Sequence, residues 1–195
     1  MITEAIKFVI DSLASLFILA ALVRFWMQAF HAPSRNPIAY FSMALTDWAV
    51  KPLRRVVPGL FKLDWSSLIV AWAFEYLLQF VLLMLVMGSV PDNPAVFTVL
   101  LFKSIVQLLR LTIYVFIASI FVQAILSWVN PYHPVTPFFD ALANPFLKPV
   151  RGVIPPIGGV DISPVFVLIF FQLLLMLPVA WLEYEAQVLM AQALL

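Results

Sequence analysis

Three ionisable residues sit where a charge is expensive. Arg24, Glu75 and Arg110 each fall inside a long apolar stretch. Charged residues in such segments pair with one another, line a path for an ion or proton, or pack helices together. At 1.5 Å per residue, Arg24 lies about 9 Å and Glu75 about 15 Å from the same ends of their stretches. With the reach of an arginine side chain, a Glu75–Arg24 pair is feasible. Arg110, nearer mid-stretch, offers Glu75 a second partner. Gln79 and Gln107, with Gln28, Gln123 and Gln172, would complete an internal polar network. Two chemistries fit. One is a hydrophilic path for a cation with Glu75 as its acidic element. The other is a charge-neutralised packing site with Arg24 snorkelling to the interface.

A second constellation lies outside the apolar stretches. Lys51, Pro52, Arg54, Arg55, Pro58 and Asp64 form one group, and Lys148, Pro149, Arg151, Pro155 and Asp161 form another. The basic residues suit anionic lipid headgroups or a partner protein, or serve topology and anchoring alone. Asp64 and Asp161 read as caps or ion-pair partners, not catalytic carboxylates. Other chemistry finds no footing. Without cysteine there is no disulfide, thiolate metal site or thiol nucleophile. His31 and His133 are the only histidines and are not equivalent in the repeat described below, which disfavours paired haem ligation. No nucleophile triad or phosphate loop has usable spacing. No cofactor, metal or enzymatic activity is expected, and a net charge of +1 gives no reason to propose nucleic acid.

Composition says what must position these groups. The 195 residues are 64% hydrophobic and only 11% charged, with a mean hydropathy of +1.05. Too few polar residues remain to cover a water-facing surface, so the chain reads as an all-α integral membrane protein. Four stretches are long enough to span: Phe8–Phe30, Trp65–Val90, about Val96–Val129, and one from Pro164 to between Leu182 and Glu185. Their connections at 31–64 and 130–163 are long, and both fall on one side of an up-down bundle. Seven of the 11 basic residues lie there, which places those loops in the cytoplasm and the termini outside.

The chain repeats itself. An offset of 97 residues superposes Pro37 on Pro134, Phe41 on Phe138, Leu45 on Leu142, Lys51-Pro52 on Lys148-Pro149, and Arg54 on Arg151. It also superposes Val56 on Val153, Pro58 on Pro155, Asp64 on Asp161 and Ser66 on Ser163. These ten identities fall in 30 columns, where about two are expected by chance. The units are 1–95 and 96–195, each a span, a loop and a span. Two crossings per unit give parallel tandem repeats about an axis along the membrane normal. Each loop predicts an amphipathic interfacial helix. Phe41, Leu45, Trp48, Pro52 and Val56 form its apolar row in the first copy; Phe138, Leu142, Pro145, Pro149 and Val153 form it in the second. Asn36-Pro37 and Thr136-Pro137 read as N-caps followed by proline. Pro52, Pro145 and Pro149 are expected to break these helices, and Ser66 and Ser163 to cap the next spans.

Ser127-Trp128-Val129-Asn130-Pro131, Asn144 to Arg151 (NPFLKPVR) and Pro155 to Pro164 (PPIGGVDISP) together resemble the repeat of the YggT (YlmG) family. The first copy matches through Lys51 to Arg55, Pro58 and Asp64 but lacks the Pro-Pro and Gly-Gly signature. The resemblance covers nearly the whole chain in a two-repeat form and implies a multi-pass protein of the bacterial inner membrane. It implies no catalytic residues. It associates the chain loosely with osmotic and potassium homeostasis and with membrane organisation. Two functions follow as expectations. The first is a non-enzymatic protein that organises or stabilises a membrane assembly through its basic amphipathic loops, with membrane-protein partners or a second copy. The second is a small ion channel or transporter component.

Overall fold

The computed structural model describes residues 1–57, 59, 63–89, 92–155 and 161–194. Its elements are α1 (Ile2–Ala29), α2 (Pro37–Arg54), α3 (Trp65–Met87), α4 (Ala95–Val129), α5 (Thr136–Arg151), α6 (Ser163–Leu174) and α7 (Ala180–Ala193). A five-residue π-helical segment, Leu175–Val179, joins α6 to α7. Four helical rods are long and apolar enough to cross a membrane: α1, α3, α4 and the continuous run Ser163–Ala193. The first rod begins six residues before the expected Phe8, and the last runs on past Glu183 and Glu185 to Ala193. Ion pairing explains both extensions. Lys7 bonds Glu4 at 2.6 Å, and Glu183 is neutralised by Arg110 at 2.7 Å.

Local signals set the ends. Asn36 caps α2 as expected, its side-chain oxygen accepting from the Ala39 N–H at 3.0 Å. His31 takes a left-handed φ of 54° where α1 stops, and the Ala32 N–H bonds the Met27 carbonyl at 2.8 Å. Gly88, with φ 72°, ends α3 in the same way. Thr136 is already helical, because turn bonds from His133 to Asn130 and from Thr136 to His133 start α5 early. The next spans are started by aspartates, not by the expected serines. Asp64 holds the N-cap position of α3 without a side-chain bond to the helix backbone, its carboxylate going to Arg54 and Ser67, and the Asp161 carboxylate accepts from the Ser163 N–H at 2.9 Å.

The interior prolines do not break α2 or α5. Each removes one N–H from the ladder, and Pro52, Pro145 and Pro149 all lie on exposed positions. The carbonyl each leaves unpaired can therefore be solvated in the polar interface. Pro178 has a visible effect. It cannot donate to Leu174, and the helix there widens into the π-segment. The extra residue turns the face that α7 presents, and Glu183 then meets Arg110 on α4.

The two copies run parallel. Phe17 meets Phe74, and Phe25 meets Trp65, so α1 and α3 pack antiparallel. Trp72 bonds Ser104, and Phe80 meets Phe97, so α3 and α4 do too. Trp26 on α1 bonds Thr112 on α4 directly at 3.4 Å, 86 positions on. Leu19 and Val23 of α1 line one cavity with Tyr114 and Ala118 of α4, and Ile38 of α2 meets Phe138 and Phe139 of α5 there, so equivalent elements of the two copies lie side by side. Trp26, Phe30, Phe116, Phe146 and Phe171 fill the seam between the copies, with ring centroids 4.7–6.0 Å apart.

Candidate functional site

The interfacial helices bury different faces. On α5, Phe138, Leu142, Ala143 and Leu147 face the core. On α2 the buried face is Ala39, Ser42, Thr46 and Val50. The expected apolar row of α2 instead points largely outward: Phe41 is 54% and Trp48 63% exposed, with Tyr40 beside them. The cause is Arg24. Its guanidinium leaves α1 almost fully buried and needs polar partners from α2. It donates to Thr46 Oγ1 at 3.0 Å and to Asp47 at 2.7 Å, and lies 3.6 Å from Asp64. Large apolar groups on that face of α2 would leave a desolvated cation without partners.

Arg54 and Asp64 complete this cluster. The Arg54 guanidinium bonds both Asp64 oxygens, through Nε at 3.1 Å and through Nη2, and Ser67 donates to the same carboxylate. The second copy repeats the arrangement. Arg151 Nε bonds Asp161 at 2.7 Å, and its Nη1 bonds Asn144, the equivalent of Asp47, at 3.0 Å. Each copy therefore clamps the end of its interfacial helix to the start of the following span. Burial would raise the Asp64 carboxyl, but bonds from Arg54 and Ser67 and the charges of Arg54 and Arg24 prevail and hold it below its ordinary value. Asp161 is lowered likewise, against burial, by Ser163 and Arg151. Asp47 is lowered by its bond to Lys51, against burial, and by Arg24.

The remaining motif residues stay outside. Lys51 bonds Asp47 at 2.6 Å yet is mostly exposed. Arg55 and Lys148 are exposed and make no ion pair or side-chain hydrogen bond among the described residues. Pro52, Pro149 and Pro155 are exposed. Pro58 lies outside the described residues, as does the stretch 156–160 that carries the Gly-Gly pair.

The intramembrane charges do not pair as the sequence suggested. Glu75 meets neither Arg24 nor Arg110. Arg24 is committed to α2 and Asp64, and Arg110 to Glu183. Glu75 is 1% exposed, accepts one bond from Gln79 at 2.8 Å, and has no cation within 4.0 Å among the described residues. Gln79, Gln107 and Arg110 are nonetheless brought together. They line a cavity of about 240 Å³ between α3, α4 and α7 with Lys103, Glu183 and Gln187; Val106 and Ala186 supply its apolar wall. Sequence reasoning did not single out Lys103, although it falls inside the expected span as it does inside α4. It missed Glu183 and Gln187 because they follow the expected end of the last span.

Four apolar rods, two interfacial helices and a clamp used twice define a multi-pass helical membrane protein built from two copies of one unit. The chain belongs to the CCB3/YggT family, whose model matches residues 3–85 and 102–182. A Pseudomonas aeruginosa protein described as uncharacterized is 32% identical over 179 residues, 90% of this chain and 89% of its own length. The uncharacterized protein YggT of Escherichia coli K12 is 29% identical over 167 residues, 85% of each chain. The uncharacterized protein ycf19 of Guillardia theta is 32% identical over 76 residues, 37% of this chain and 79% of its own. No solved structure matches.

Proposed function

We propose that the chain is a non-enzymatic protein of the bacterial inner membrane. It organises or stabilises a membrane assembly through the outward faces of α2 and α5, which lie on the cytoplasmic side. The observation that carries this reading is how the basic residues divide. Arg24, Arg54 and Arg151 are used up in the clamps, whereas Lys51 and Arg55 on α2 and Lys148 on α5 are exposed, as are Tyr40, Phe41 and Trp48 on α2. A helix lying in the interface holds anionic lipid with cations and sinks aromatic rings at headgroup level. Each such cation contributes about 1 kcal/mol near an anionic leaflet. The triple variant Lys51→Gln, Arg55→Gln, Lys148→Gln should therefore lower the preference for phosphatidylglycerol over phosphatidylcholine by more than about tenfold. Bound spin-labelled lipid reports that preference, and thermal unfolding of the variant should match the parent. A preference unchanged in the triple variant would sink the proposal.

The cavity between α3, α4 and α7 favours a second reading, passage of a small ion. Flux in liposomes holding only this protein tests it, with loss expected in Lys103→Met.

A further inference from the structure

The geometry points to the mid-bundle cavity as a binding site for a small monocarboxylate anion. Four observations carry this. First, the unpartnered charge on its wall is positive. Arg110 is taken by Glu183, whereas Lys103 makes no ion pair within 4.0 Å and no hydrogen bond among the described residues, with Glu75 and Glu183 attracting it only from a greater distance. Glu75, the acid that a cation path would need, does not line the cavity and sits behind Gln79. Second, Gln79, Gln107 and Gln187 line the same cavity as Lys103. Gln107 and Gln187 have no side-chain bond among the described residues, so their N–H groups are available to the second carboxylate oxygen. Third, Val106 and Ala186 give the space an apolar side, where a short alkyl chain packs and a multiply charged anion gains nothing. One ammonium without a direct ion pair likewise matches a single negative charge.

Fourth, the fold does not need these polar groups. At the 97-residue offset, Lys103, Gln107, Arg110 and Glu183 fall on Ile6, Ile10, Leu13 and Val86. The first copy builds the same pair of helices with hydrocarbon at every one of these positions. The polar lining from α4 and α7 is thus a specialisation of the second copy, and polar groups inside a spanning helix that packing does not require mark a ligand. This inference stands apart from the lipid-holding role of α2 and α5, whose variants leave the cavity untouched.

Calorimetric titration of the protein in phosphatidylcholine nanodiscs tests it, with acetate, propionate and butyrate as probes and methylammonium as the cationic control. Saturable carboxylate binding is expected, and methylammonium should not bind. Lys103→Met and the polar Lys103→Gln should each weaken the carboxylate at least about tenfold, the ordinary worth of a charge-assisted hydrogen bond. Glu75→Gln removes the negative charge behind the wall and should tighten it several-fold. Equal affinity in a folded Lys103 variant, stronger binding of methylammonium, or no carboxylate binding at tens of millimolar would each overturn the assignment.

Discussion

Asp64→Asn is expected to destabilise this protein far more than Asp161→Asn, although the two aspartates are equivalent in the repeat. Asp64 is 3% exposed and takes two bonds from Arg54 and one from Ser67, with Arg24 at 3.6 Å. The Asp161 side chain is 31% exposed and holds Arg151 through a single bond of 2.7 Å. Breaking a buried ion pair by removing one partner costs about 3–5 kcal/mol, because the surviving charge stays desolvated. An exposed pair contributes about 0–1 kcal/mol. Arg54 is partly exposed and can turn toward water, but Arg24 is buried and cannot. The cost of Asp64→Asn should therefore sit near the low end, about 3 kcal/mol, and that of Asp161→Asn below about 1 kcal/mol. The first figure shifts the folding equilibrium by more than about a hundredfold. Unfolding in mixed micelles with rising sodium dodecyl sulfate, followed by tryptophan fluorescence, resolves a difference of that size. The pH dependence follows the same clamp. Asp64 is held below its ordinary value of 3.8, so the unfolded chain binds its proton more readily than the folded one. Its contribution is complete above that value and is lost as pH falls through the lowered one. Asp64→Asn should flatten the acid limb of the stability curve. Equal costs for the two substitutions, or an unchanged acid limb in Asp64→Asn, would refute the reasoning.

The Arg110–Glu183 pair should behave as a mutual neutraliser. Arg110→Leu and Glu183→Leu should each destabilise more than the double variant does, because either single change strands a charge at membrane depth; a double-mutant cycle in the same unfolding assay measures this, and additive costs would contradict it. Topology has its own outcome. Reporter fusions at Tyr132 should read cytoplasmic and at Asp92 external, and the opposite pattern would invert the orientation drawn from the basic loops.

The four spans, the helical spacing of the loops and the repeated partners Arg54–Asp64 and Arg151–Asp161 were legible because each rests on local pattern or on identity between copies. The outward turn of Phe41 and Trp48 was not. Their spacing is the same on a buried face as on an exposed one, and the choice is made by Arg24, which arrives from another helix. The partners of Glu75 and Arg110 were illegible for a related reason. Depth counted from the ends of each span does not say which neighbour a side chain turns to, and Arg24 turns to α2 while Arg110 turns to Glu183 of α7. A single residue difference accounts for the asymmetry between copies. An identical clamp is buried in the first copy, where Arg24 closes over it, and open in the second, where Phe121 stands at the equivalent position and no second arginine reaches it. Duplication supplied two equal clamps. Outside the clamp the copies diverge: α4 and α7 carry Lys103, Gln107, Arg110 and Glu183 where α1 and α3 carry hydrocarbon.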